Sequence, residues 1–197
     1  MPASLNVKSD PDKDKSTKEY NIADMIEIRP STLNDKRKVF GWLTNSNLTK
    51  EMMGPPNYPD AKIPTWNEFD KDYPDYYFDG SYPLKGRCFI IVEDENEVGQ
   101  INYNSIDVKE KSADLDIWLS DKKYTGKGIG TKAIHILCEY LHEKFDCEQV
   151  MMSPSKRNLN AINAYKKAGF VMTDIELDES EKDYDDNVVM IKKMGKH

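Results

Sequence analysis

Between Ala113 and Thr131 an alternating strand pattern runs through a glycine-rich turn into an amphipathic helix, and few folds accommodate that junction. Ala113, Leu115, Ile117 and Leu119 share one face of the strand, while Asp114, Asp116 and Trp118 share the other. The turn Tyr124-Thr-Gly-Lys-Gly-Ile-Gly-Thr131 follows, and Ile129, Ala133, Ile136, Leu137, Tyr140 and Leu141 then recur at helical spacing to about Lys144. Such a turn can aim several backbone N–H groups at one anion, where the aligned peptide dipoles add partial positive charge. Glycine suits it because a Cβ blocks close approach and because these turns demand backbone angles that other residues resist. The segment is therefore a candidate phosphate cradle; the alternative is that its glycines only tighten a strand-to-helix turn.

The remaining elements fit around this junction. Met25–Arg29 is short and β-prone, and Pro30, Ser31, Thr32 and Asn34 offer a turn and caps before a helix over Lys36–Leu43. Arg87–Val92 and Val98–Ile106 are apolar runs separated by the polar Glu93–Glu97, which predicts a hairpin. Val150–Met152 predicts a short strand, Asn160–Lys167 a helix ended by Gly169, and Val188–Lys192 a last strand. From Asn45 to Pro83 the chain makes a long excursion in which Trp66, Phe69, Tyr73, Tyr76, Tyr77 and Phe78 interleave with acids; one short helix is expected near Thr65–Tyr73. Such an excursion serves either as a lid and binding loop or as an insertion whose aromatics plug a satellite core. Strands leading into strand, helix, strand, helix, strand predict an α/β (α+β) mixed sheet covered by helices.

A chain of 197 residues suits one ordinary domain. Residues 1–22, rich in Lys, Asp and Ser, are read as a disordered leader, with a single domain over residues 23–197. A formal charge of −7 argues against a nucleic-acid surface and favours a cationic partner. No stretch suits a signal peptide or membrane span, so a cytoplasmic location is expected. Cys88, Cys138 and Cys147 form no disulfide framework, and neither they nor His135, His142 and His197 show metal-ligand spacing, so no metal site is expected. Nothing chooses between monomer and homodimer.

Other phosphate motifs fit the turn poorly. No Gly-Lys-Ser/Thr stands in Walker register, and Gly126-Lys-Gly128-Ile-Gly130 has even spacing where a dinucleotide fingerprint has G-x-G-x-x-G. The string GKGIGT, its helix, a strand and then Asn158-Leu-Asn-Ala-Ile-Asn-Ala-Tyr-Lys-Lys-Ala-Gly-Phe170 together resemble the GNAT acetyltransferase superfamily. Within it, Gly41-Trp-Leu-Thr44, Asp116-Ile-Trp-Leu119 and the two motifs above make the chain most similar to aminoglycoside 6′-N-acetyltransferases, over roughly Ile26 to Phe170. The resemblance implies the GNAT fold, a mixed and mostly antiparallel central sheet flanked by helices. It also implies acetyl-CoA as co-substrate and a small cationic amine as acceptor.

Residue by residue, the resemblance implies that the backbone of Gly126, Lys127, Gly128, Ile129, Gly130 and Thr131 grips the pyrophosphate. Trp118 and Leu119 would lie along the pantetheine arm with Asn158 and Ala161, and Tyr165 near the sulfur as general acid to the departing thiolate. Taken by itself, Tyr165 reads as a core aromatic at helical spacing with Ile162. The sequence departs from the family twice: Thr125 holds the first place of the usual Q/R-x-x-G-x-G, and Ser153 stands before Pro154 where the aminoglycoside subgroup carries an Asp that contacts the antibiotic. The second departure touches acceptor identity.

An amine attacks a thioester only as the free base, so a proton acceptor is needed. Asp116 is the candidate, with Asp114 on the same face about 7 Å away by strand geometry and in reserve should a bulge turn the strand. The alternative is a solvated strand face. Trp66, Tyr76 and Tyr77 are candidate walls of the acceptor pocket, and the acidic Glu176–Asp186 segment either recruits a polycation or is a solvated hairpin tip. Two other functions fit the same residues: acetyl transfer to a polyamine, an amino-acid or peptide amine or a siderophore-type hydroxylamine, and a non-catalytic acyl-CoA-binding module.

Overall fold

The computed structural model describes residues 26–53, 62–178 and 186–195. The expected leader and residues 179–185 of the acidic segment lie outside the described residues.

Among the described residues, seven strands form one sheet in the order β1-β2-β3-β4-β5-β7-β6. They are β1 Ile26–Pro30, β2 Arg87–Glu93, β3 Asn96–Asp107, β4 Ser112–Leu119, β5 Gln149–Met152, β6 Val171–Met172 and β7 Met190–Lys193. Every neighbouring pair is antiparallel except β4 with β5, so the sheet is mixed and mostly antiparallel. Helix α5 (Ile129–Phe145) makes the crossover that the parallel pair requires, and α6 (Leu159–Lys167) packs beside it. The hairpin of β2 and β3 closes on Asp94 and Glu95, both left-handed at φ 47° and 66°, a two-residue turn tighter than the expected Glu93–Glu97.

Among its described residues the excursion carries three short helices where one is expected: α2 Thr49–Met52, α3 Trp66–Asp72 and α4 Tyr76–Asp79. α3 has a capping box in which Thr65 and Glu68 satisfy each other's backbone N–H groups, and α4 ends on the left-handed Gly80. α2 and α4 are single turns held by packing, a cause that local propensity does not reveal. Together with α1 (Lys36–Thr44) they cover the sheet face opposite α5.

Two cores result. On the α5 side, Ile101, Tyr103, Ala113, Leu115, Ile134, Leu137, Leu141 and Val150 pack almost without exposure. Each such aliphatic side chain contributes roughly 1.5–3 kcal/mol through burial. On the other side Val39, Phe69, Tyr77, Phe78, Cys88, Ile90 and Trp118 form a second, aromatic-rich cluster. Gly86 lets that layer close, since a Cβ there would stand 2.5 Å from the Tyr77 ring. An ion-pair network of Arg29, Asp35, Lys38 and Glu97 ties the start of α1 to the hairpin. The Arg29 guanidinium holds the Asp35 carboxyl well below the usual carboxylate range.

Candidate active site

β4 and β5 pair over only three residues, Ser112–Asp114 opposite Gln149–Met151, and β4 then continues to Leu119 without β5 beside it. The sheet opens there. The N-terminal end of α5 sits against this stretch, because a Cβ on Gly130 would lie 3.5 Å from Ile117 Cδ1. The turn before it carries Gly126 at φ +73° and Gly128 at φ +83°, angles that favour glycine, and a Cβ at either would point into open space. The helix ladder starts with Lys132 N–H donating to the Gly128 carbonyl, which leaves the N–H groups of Ile129, Gly130 and Thr131 directed out of the helix end. Open space beside outward-directed helix-end N–H groups fits a pyrophosphate.

On the opposite face of β4 the alternation holds as expected: Asp114, Asp116 and Trp118 point toward the excursion, and Leu115 and Ala113 toward α5. The bulge that would have changed the choice of acid lies in β3 instead, where Asn104 and Ser105 stand between the Tyr103–Leu115 and Ile106–Ala113 pairs. Asp116 is surrounded by protein yet keeps an accessible edge. Burial pushes its carboxyl above the ordinary carboxylate range, and the amides of Asn104 and Asn102 pull it back. Asn104 Nδ2 donates to Asp116 Oδ2 at 2.8 Å.

The other candidates divide among three places. Tyr77 is buried in the second core, where its hydroxyl donates to the Asn104 carbonyl at 3.0 Å. Burial pushes its phenol up, with further contributions from Tyr76, Asp116 and Asp114. Tyr76 stacks on Tyr77 and is half-buried. Trp66 packs on the same cluster through Phe69, with the Arg37 guanidinium 3.4 Å from its ring centroid and a T-shaped contact to Phe40. The Trp118 side chain lies in the second core, which leaves its backbone, with that of Leu119, on the open edge of β4. Asn158 caps α6 by accepting from the Ala161 N–H at 3.1 Å. Tyr165 packs against the α5-side core near Phe170. The loop holding Ser153 and Pro154 is fixed by Asp186, which accepts from Ser155 and Arg157.

Sequence reasoning missed the polar residues of β3. Gln100, Asn102 and Asn104 alternate along a run taken as apolar, and they face the acids across the ladder: Asn102 pairs with Asp116 and Gln100 with Trp118. Their period-two polarity beside an acid-bearing strand was the available signal. Gln100 Nε2, Asn102 Oδ1 and Trp118 Nε1 are buried without a hydrogen-bond partner.

All three cysteines are free and buried. Among the described residues no group of His, Cys, Asp or Glu could hold a metal ion, and no helix is long and apolar enough to cross a membrane.

The sequence profile described as "Acetyltransferase (GNAT) domain" matches residues 26–171. A probable spermine N(1)-acetyltransferase from Bacillus subtilis subsp. natto is 32% identical over 80 residues, 41% of this chain and 49% of that protein. An aminoglycoside N(6′)-acetyltransferase type 1 from Klebsiella pneumoniae is 39% identical over 56 residues, 28% of each chain. The chain thus spans at most about half the length of these curated relatives. The crystal structure of the aminoglycoside acetyltransferase AAC(6′)-Ib in complex with coenzyme A superposes with a TM-score of 0.65 at 22% identity, covering 86% of this chain and 95% of that one. The open β4 edge, the glycine turn at the start of α5 and a profile match across most of the described chain lead to one conclusion: this protein belongs to the GNAT acetyltransferase family.

Proposed function

We propose that the chain transfers an acetyl group from acetyl-CoA to a primary amine of a small cationic acceptor of the aminoglycoside type, by direct attack in a ternary complex. One observation carries this reading: the glycine turn at the start of α5 and the buried Asp116 carboxyl both flank the stretch of β4 that β5 leaves unpaired. A cofactor with a pyrophosphate at one end and a reactive thioester at the other fits that stretch.

In this reading the Gly126–Thr131 backbone holds the pyrophosphate. The pantetheine arm runs along the free edge of β4 at Trp118 and Leu119, with Asn158 and Ala161 at the start of α6 beside it. The acceptor nitrogen attacks the thioester carbon, the C–S bond breaks, the nitrogen's proton passes to Asp116, and Tyr165 protonates the departing thiolate. A carboxylate raised by burial is a better match to an amine than an exposed one, which favours Asp116 as base. Asp114 adds negative potential for an ammonium group. Tyr76 and Trp66 border the acceptor from the excursion, and Tyr77 supports that wall from beneath.

A polyamine is the second acceptor reading. It is favoured by the spermine acetyltransferase relative, whose match runs over 80 residues against 56 for the aminoglycoside enzyme, and by Ser153 in place of the subgroup's Asp. Thiol release from acetyl-CoA, measured against aminoglycosides with and without a free 6′-amine, against spermine and spermidine and against peptides, decides between them. Turnover confined to 6′-amino compounds supports the first reading, turnover of polyamines alone the second, and turnover of none defeats both.

A further inference from the structure

The polar chain beside Asp116 has a direction, and that direction carries information. A carboxylate only accepts hydrogen bonds, so the Asn104 amide presents its NH2 end to Asp116 Oδ2, at 2.8 Å. Its carbonyl end then faces back along β3 and accepts from Asn102 Nδ2 at 2.6 Å. The Tyr77 hydroxyl, 3.0 Å from the Asn104 backbone oxygen and 3.5 Å from Oδ1, holds the same residue from above. Asn102 is wholly buried, and with its NH2 so committed its Oδ1 is left without a donor. A buried orphan of this kind costs roughly 1–3 kcal/mol. A chain that ends in such a cost is not arranged for stability; its orientation is set from the Asp116 end.

The backbone reinforces the point. In an unbroken ladder Asn104 would stand opposite Asp114, since Asn102 pairs with Asp116 and Tyr103 with Leu115. The bulge at Asn104 and Ser105 interrupts that register, so that the Asn104 side chain reaches Asp116 while Ile106 returns to the α5-side core.

We propose that Asn104, oriented by Asn102, is a positioning residue that holds the Asp116 carboxylate ionised and aimed for proton acceptance. The proposal rests on the reading of Asp116 as the base. Burial works against the charged carboxylate, and the two amides oppose burial. The other titratable groups toward this site are Asp114 on β4, Tyr77 and Tyr76 on α4, Tyr73 just after α3 against Trp118, Cys88 on β2 hydrogen-bonded to Gln100, and the Arg87 guanidinium, 3.5 Å from the Tyr77 backbone oxygen. The Asp116 carboxyl is set by burial and the two amides rather than by that cation. Loss of the Asn104 donor therefore leaves the Asn102 amide to oppose burial.

The test uses the full chain, acetyl-CoA and an amine that the wild type turns over. Asp116→Asn comes first, because a variant that keeps wild-type turnover and pH profile removes Asp116 as base and the positioning role with it. Given a loss there, kcat/KM against pH is measured for Asn104→Ala and Asn104→Ser, with thermal unfolding alongside. Removal of a hydrogen bond to a charged group predicts that Asn104→Ala loses about tenfold in kcat/KM on the acid side and recovers at high pH, where Asp116 ionises unaided. Asn104→Ser, which keeps a hydroxyl donor, should lie between. A profile identical to wild type, or an equal loss at every pH, overturns the proposal while leaving Asp116 as base. If Asn104→Ala does not fold, the same comparison is made on Asn104→Ser. Carbon-13 NMR titration of the Asp116 carboxyl gives a readout independent of turnover: an upward displacement supports the role and an unmoved curve defeats it.

Discussion

The two faces of the central sheet follow different rules. The α5 face of β3 and β4 presents Ile101, Tyr103, Ala113 and Leu115 to a helix that buries them almost entirely, and its interactions are those of an ordinary core. The excursion face of the same two strands presents Gln100, Asn102, Asn104, Asp114 and Asp116, and it contains buried polar atoms without partners. Each orphan opposes folding, so this face carries a cost that the α5 face does not. The comparison teaches where stability and chemistry reside: one face supplies the free energy that lets the other hold a half-desolvated carboxylate.

The largest expected effect that sharpens this contrast is on turnover. Asp116→Asn should lower kcat by about 10²–10⁴, while thermal stability stays level or rises because a desolvated charge has been removed. Stopped or steady-state kinetics together with a melting curve check both halves, and a large loss of stability would break the comparison. Next comes the reverse case. Leu137→Ala, at a fully buried position on α5, should cost about 2–5 kcal/mol of stability yet leave kcat of the folded fraction near wild type, as denaturant titration and assay at low temperature would show. Smaller again is Gly128→Val. Its left-handed backbone predicts a loss of about 1–2 kcal/mol of stability, and the added side chain points into the open space beside the helix-end N–H groups, so acetyl-CoA affinity measured by calorimetry on the folded protein should fall as well. Unaltered affinity in that variant would remove the phosphate role from the turn.

Much of the site's outline was legible. The Ala113–Leu119 alternation and the glycine turn are local signals, and both survive in the structure at the same residues. Elsewhere the sequence left side-chain burial open. Tyr76 and Tyr77 are neighbours in one acidic aromatic run, yet Tyr77 is buried to brace β3 and Tyr76 is half exposed above it. Trp66 shares the composition of that run and carries the Arg37 guanidinium on its ring. Composition identified the excursion as aromatic and acidic, but which ring faces inward depends on how single-turn helices settle against the sheet.

By itself the sequence determined what depends on neighbours along the chain: a strand with two acids on one face, a turn only glycine can make, and the helix whose end completes it. Tertiary structure alone decided what depends on register and separation. The point at which β4 parts from β5, the β3 bulge that sets Asn104 against Asp116, and the contact of Tyr77 with a strand 27 residues away all arise when distant segments pack. Backbone periodicity encodes the direction of a side chain, whereas the partner it meets is selected by the balance of burial and hydrogen bonding across the whole fold.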